Sequence, residues 1–420
     1  MLSIFTTKFK GLHKNGAPLD LLATWRKTFD KASERETTLF QKMYCDEWFD
    51  WETPQMSLTA EAVVGKYRLR FMATLLGDES PTPLRRSDGF DIWTKEIPRV
   101  GHKFPMTARD LRKLTEIYEN PRLKEADKVR QIEKTLKHDV QDAYLGCKDV
   151  MDFITLTIMS NWGVCQFTPD VNNPGGRRYE VDYLMGESNK LMSAFNWTSA
   201  NTKAGKLIPI LVLAMICADL RTRGIVPGEI LMSQDLYFWL RMDPTTRLLA
   251  HGTDKQAQVV TESELSALLT ENQIPKITVI TRKFAIDRDG ARNTLEPWNH
   301  NFIAIKPEGK IGTIQPAIED SELIPEKDVD YIDAGNGIRI AKWCTGESTN
   351  QVAAEFTQGS GRLLPLITEI DAIICLQVRG IVEKTVPADA QGNERFYWTK
   401  FEYENGTAPS VDNGDTLEEG

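Results

Sequence analysis

Past Asn120-Pro121 the apolar side chains recur at Val129, Ile132, Leu136, Val140, Tyr144, Cys147, Met151, Ile154 and Ile158, every step three or four residues. That is the period of an amphipathic helix with one buried stripe. The run predicts a helix far longer than the ~10–14 residues usual in globular proteins. Lys, Asp and Glu fill the opposite face and read as a solvated flank. Gly163 and the turn-rich stretch 169–176 end the helix. A helix this long acts as a backbone for other elements, so the rest of the chain is arranged around it.

Ahead of it, Thr107 and Asp110 form a capping-box-like start, with Met106, Leu111, Leu114 and Ile117 on one stripe and Asn120-Pro121 as the stop. Before that, residues 51–105 hold a long hairpin. One arm runs from Ala62 to Leu76, a Gly/Pro/Asp-rich tip from Gly77 to Gly89, and the second arm from Phe90 to Pro98. Residues 1–45 carry more basic than acidic charge, and residues 1–50 read as an extended or partly helical arm that buries little of itself. Residues 181–335 alternate between helix and strand: a strand at 181–183, helices at 202–223, 234–241 and 259–271, and strands at 229–233, 276–280, 284–286, 302–305 and 311–314. Residues 337–343 and 370–378 return to extended structure, the latter apolar enough for a central strand. Thr357-Gln358-Gly359-Ser360-Gly361-Arg362 reads as a flexible turn. Residues 401–420 carry six carboxylates and no Lys or Arg, and read as a mostly disordered acidic tail.

The 420 residues carry 51 basic and 60 acidic side chains, a net charge of −9, unlike a dedicated nucleic-acid binder. Six scattered cysteines and five histidines form no metal-ligand cluster, and the thiols are expected to be reduced. The most apolar run, Leu207 to Cys217, falls short of the ~20 residues a bilayer span needs and reads as a buried helix. No phosphate-binding glycine loop, nucleophile elbow or calcium loop is present; Asp328, Asp330 and Asp333 miss the calcium spacing. The sequence therefore points to no enzyme, metal or cofactor.

The order of parts nevertheless resembles a known family. Arm, long hairpin, long helix, mixed domain and return of the chain are similar to the tailed-phage major capsid protein, the Hong Kong-97 type fold that encapsulin shells share. The likeness is strongest to its phage lambda capsid protein E-like branch. Phe104 to Leu111 resembles the exit from the extended loop into the spine helix, and Lys148 to Val164 the end of that helix region. Val181-Asp182-Tyr183 with Trp197, Gly224 to Ser233, and Phe302 to Gly312 resemble axial-domain segments. Leu363-Leu364-Pro365-Leu366 before Asp371-Ala372-Ile373 resembles the closing peripheral strand.

The resemblance implies an α+β capsid fold. Its parts would be an arm (1–50), an extended loop (51–105), a peripheral domain with spine helix (106–180 and 336–400), an axial domain (181–335) and the tail. It implies a subunit that self-assembles into hexamers and pentamers of an icosahedral shell, located in the virion and assembled in the host cytoplasm. Expected partners are further copies, scaffolding, portal and decoration proteins, and packaged double-stranded DNA through weak non-specific contact. An encapsulin-like compartment and, further off, a tryptophan-rich carbohydrate-active enzyme are the alternatives. An isolated hairpin is marginal in water. Arg85, Arg86, Phe90, Ile92 and Trp93, with Trp48 and Trp51, are accordingly expected at a subunit interface.

Overall fold

The computed structural model describes residues 13–14, 17–18, 29, 42–65, 90–252, 258–345, 354–383 and 396–405. The chain divides into two compact units: residues 1–62, 94–155 and 312–366, and residues 63–93, 156–311 and 367–420.

A short helix α1 (Tyr44–Trp48) leads into strand β1 (Phe49–Trp51). Strands β2 (Thr59–Gly65) and β3 (Phe90–Glu96) pair with each other and bracket residues 66–89, so the hairpin is paired at its base. Its tip and most of its first arm lie outside the described residues. Strand β4 (Arg99–Thr107) runs into α2 (Ala108–Glu119), where Thr107 Oγ1 donates to Asp110 Oδ2 at 2.7 Å. Asn120 turns extended (φ −63°, ψ 112°), as the residue before a proline prefers, and ends that helix. The long helix α3 (Glu125–Met159) has 35 residues. Its stripe is buried at Val129, Ile132, Val140, Tyr144, Cys147, Met151, Ile154 and Ile158. The solvated flank needs correcting at two positions. Lys148 and Asp152 are 3 % and 0 % exposed, because each lies four residues from the next along the line Tyr144–Lys148–Asp152 and so shares the buried face.

Strands β5 (Val164–Phe167) and β6 (Tyr179–Asp182) form an antiparallel pair, followed by β7 (Lys190–Ser193). The single helix expected at 202–223 is two: α4 (Ser199–Lys203) and α5 (Pro209–Thr222). Gly205 at φ 69° breaks the first, and Pro209, which fits a first helical turn, starts the second. Then come β8 (Pro227–Ser233), α6 (Gln234–Met242), α7 (Pro244–His251), α8 (Glu262–Glu271), β9 (Lys276–Ile280), β10 (Phe284–Arg288), β11 (Ala291–Leu295) and β12 (Phe302–Pro307). Helix α7 was not anticipated. Asp243 Oδ2 caps it, accepting from Thr245 N at 3.0 Å and Thr246 N at 3.1 Å ahead of Pro244. Helix α8 begins at Glu262, not Val259, behind a complete capping box of Thr261 and Glu264.

The chain continues through β13 (Gly312–Ala317), α9 (Asp320–Leu323), β14 (Asp330–Gly335), β15 (Ile338–Thr345), β16 (Ala354–Ile367), β17 (Ile374–Gln377), β18 (Tyr397–Thr399) and α10 (Lys400–Asn405). In the second unit a six-stranded sheet runs β9-β8-β12-β17-β7-β18. Strand β17 lies near its centre, but the extended run expected over 370–378 is shorter: Ile370–Ala372 form a 3-10 turn ahead of it. Helix α5 contributes Ile210, Val212, Leu213, Ile216, Cys217 and Leu220 to the core of that unit. The tail reading is corrected over 401–405. Those residues belong to α10, and Tyr403 is buried with Ala194, Ile381 and Trp398.

The sheet of the first unit runs β14-β15-β16-β13-β1, with β4 also pairing β16. Here the flexible-turn reading of Thr357 to Arg362 is corrected. These residues lie inside β16, a 14-residue strand held by β15 on one edge and β4 on the other. A Cβ built on Gly359 would stand 2.0 Å from the carbonyl oxygen of Ala143, so the glycine is present because the backbone of α3 lies directly on the strand.

The same sheet buries an ion pair. Lys342 and Glu355 are both 0 % exposed, with Nζ 3.9 Å from Oε1, and Lys342 also donates to Thr357 Oγ1 at 2.9 Å. Burial pulls the Lys342 ammonium below its ordinary pKa, against the opposing pull of Glu355. Replacing Lys342 by methionine alone strands the carboxylate and is expected to cost about 3–5 kcal/mol. Adding Glu355→Met should recover most of that loss. Urea denaturation of the two variants checks this; a double variant no more stable than the single one would count against the pair.

Candidate functional site

The clearest lock is in the first unit. Asp152 on α3 accepts the backbone N–H of Cys45 on Oδ1 at 2.6 Å and that of Tyr44 on Oδ2 at 3.2 Å. One turn earlier, Lys148 Nζ reaches both carboxylate oxygens of Asp46, at 2.9 and 3.0 Å, and lies over the rings of Tyr144 and Trp51. Trp51 Nε1 donates to Asp46 Oδ1 at 3.0 Å. Burial works to lower the Lys148 pKa, but Tyr144 and Asp46 outweigh it and the net direction is up. The Cys45 thiol is pushed well above its ordinary value, first by burial and then by Asp152. Trp48 is 1 % exposed and its ring centroid lies 4.5 Å from that of Tyr44. A segment whose two backbone N–H groups and carboxylate find partners on one helix is a fixed part of its unit.

In the second unit, Trp93 is 5 % exposed, stacks on Tyr183 at 4.9 Å and donates Nε1 to the carbonyl of Asp182 at 2.8 Å. Its neighbour Ile92 points the other way, as strand alternation requires, and is 61 % exposed. The expected interface residues thus separate. Trp48 and Trp93 each have an aromatic neighbour within their own chain, Tyr44 and Tyr183 respectively. Ile92 is open, and Trp51 is half-buried. Arg85 and Arg86 lie outside the described residues, as does the side chain of Phe90. The sequence reading did not single out Asp46, Lys148 or Asp152. The four-residue spacing from Tyr144 was the available signal.

A polar network marks the surface of the second unit. His300 bridges two carboxylates, with Nδ1 2.8 Å from Asp235 and Nε2 2.6 Å from Glu296. Arg379 also binds Asp235, at 3.0 Å, and Lys283 binds Glu296. Burial lowers the His300 pKa somewhat, but its two carboxylate hydrogen bonds raise it above the ordinary value overall. Glu296 is lowered, chiefly by Lys283 and then by His300. Because the folded pKa of His300 is raised, its contribution is complete below about pH 6.5 and is lost as pH climbs through the higher folded value. The carboxylates act oppositely, losing theirs only as pH falls below their ordinary range near pH 4. A proton NMR titration is expected to place His300 above pH 6.5, and Glu296→Gln should bring it down; a midpoint at or below 6.5 in the unaltered chain would contradict the bridge.

Among the described residues, no group of three or more His, Cys, Asp or Glu side chains could hold a metal ion. No helix among them is long and apolar enough to cross a membrane.

No protein-family model matches the sequence. No curated protein matches it either. Solved structures do show similarity. A protein described as the capsid protein of a prophage of E. coli CFT073 is 14% identical, with a TM-score of 0.49 over 85% of this chain and 98% of its own. A phage-related protein from Bordetella bronchiseptica RB50 is 10% identical, with a TM-score of 0.44 over 85% and 96%. The capsid protein of Myoviridae phage XM1 is 9% identical, with a TM-score of 0.39 over 83% and 91%.

Proposed function

We propose that this chain is the major capsid subunit of a tailed double-stranded DNA phage. The observation that supports the reading is the order of elements around α3. A docked N-terminal segment, a strand pair bracketing an excursion, a 35-residue helix and a returning 14-residue strand beneath that helix follow one another in the sequence the Hong Kong-97 type fold would require. In this reading the unit containing α3 takes the peripheral role and the unit with the six-stranded sheet the axial role. The excursion at 66–89 and the open Ile92 at its base lie against a neighbouring subunit, with Arg85 and Arg86 meeting carboxylates there. The net charge of −9 suits a container whose DNA must enter without adhering. Copies assemble into hexamers and pentamers of a shell formed in the host cytoplasm, with scaffolding, portal and decoration proteins as further partners. No part of the reading calls for catalysis.

The test is assembly. The full chain, expressed alone and with scaffolding proteins, is expected to yield capsomers or closed shells by negative-stain electron microscopy and to sediment as such. Monomer or dimer alone under every condition would overturn the reading.

A further inference from the structure

The surface of the second unit has an open groove that shares only Asp235 with the network. It encloses about 360 Å³ between α4, α6 and the start of α7. Phe238, Trp239, Met242 and Pro244 make an apolar floor, with Phe238 56 % and Met242 42 % exposed. Two cations, Lys203 and Arg247, stand on its wall. The Nε of Arg247 is buried without a hydrogen-bond partner among the described residues, which is costly unless an acceptor arrives. The one carboxylate on the wall, Asp235, is already held by His300 and Arg379. A chain segment bearing carboxylates and one or two aliphatic side chains fits such a groove.

This chain has such a segment close by. Helix α10 ends at Asn405, fixed by Tyr403 in the cluster with Ala194 and Ile381. Two residues past Ile381, Glu383 accepts from Asn196 and from Asn201 Nδ2 at 2.6 Å. Asn201 lies in α4, the helix whose Ser199 and Lys203 line the groove. Tyr403, Ile381 and Glu383 thus connect α10 to the helix that lines the groove. Residues 406–420 then carry Asp412, Asp415, Glu418 and Glu419 with Val411 and Leu417, and no Lys or Arg. At ~3.3–3.6 Å per residue they reach roughly 50 Å when extended.

We propose that the acidic segment 406–420 docks in the groove of its own chain, its carboxylates meeting Lys203 and Arg247 and its aliphatic side chains covering Phe238 and Met242. The inference does not depend on the capsid reading.

The experiment uses the full chain, prepared as a mixture of 14N- and 15N-labelled protein and treated with a zero-length carbodiimide cross-linker. Mass spectrometry is expected to find Lys203 linked to one of the four tail carboxylates within peptides of the same isotope. In a full-length variant with Asp412→Asn, Asp415→Asn, Glu418→Gln and Glu419→Gln, hydrogen exchange over residues 234–251 is expected to rise about three- to tenfold. Absence of the link, unchanged exchange, or links joining light to heavy peptides would each overturn the proposal. The last outcome would assign the groove to a second copy.

Discussion

Replacing Gly359 by valine is expected to remove at least about 3 kcal/mol of stability, at the upper end of what overpacking costs. The added Cβ would sit 2.0 Å from the carbonyl oxygen of Ala143 and 2.7 Å from its carbon, and both are backbone atoms of α3. No rotamer relieves such a clash, since it falls on the first side-chain atom. The helix must lift from β16 or the strand must leave its ladder with β4 and β15. Gly186 supplies the control: a Cβ there meets nothing closer than 3.8 Å, and its φ of −60° suits alanine. Gly186→Ala should stay within about 0.5 kcal/mol. Thermal unfolding of both variants decides the matter; a Gly359→Val protein as stable as Gly186→Ala would mean that α3 does not lie on the strand.

The second large effect is expected at Asp152. Its carboxylate is the acceptor for two buried N–H groups of α1, and hydrogen bonds to a charged group contribute about 1.5–3 kcal/mol each. Alanine removes both and leaves the donors buried without that partner, for a loss of about 3–5 kcal/mol. Asp152→Asn keeps one acceptor oxygen and should fall between. The distinguishing readout is limited proteolysis. In Asp152→Ala, cleavage around residues 42–58 should precede global unfolding, because the segment loses its attachment before the sheet does. Uniform protection of that segment would mean that Trp48 and the Lys148–Asp46 pair suffice to hold it.

These two sites also show what the sequence could and could not disclose. Helix α3 was legible because its apolar positions keep a three-or-four spacing all the way from Val129 to Ile158. Strand β17 was legible because a central strand is apolar on both faces. Strand β16 was hidden: Gly359 and Gly361 with Gln358 and Ser360 look like a loop, and the reason for a glycine at 359 is a helix more than 200 positions away in the sequence. Lys148 and Asp152 looked solvated because charge usually is, yet their partners Asp46 and the α1 backbone come from a remote segment. The sequence likewise does not reveal Tyr183 stacked on Trp93. What was missed in each case is a long-range contact that sets local chemistry.

The lock between α1 and α3, together with the parallel pairing of Phe49 with Gly312, has a consequence in time. Synthesis runs from the N-terminus at about 5–20 residues per second. Tyr44 and Cys45 must wait for Asp152, and Phe49 must wait for Gly312, which emerges roughly 15–50 s later at those rates. Over that interval Phe49, 1 % exposed in the finished unit, lacks the strand it pairs with. An apolar residue made early in this unit is thus among the last to reach its place, and a nascent chain is most vulnerable to sticking at the segment that waits longest for its partner.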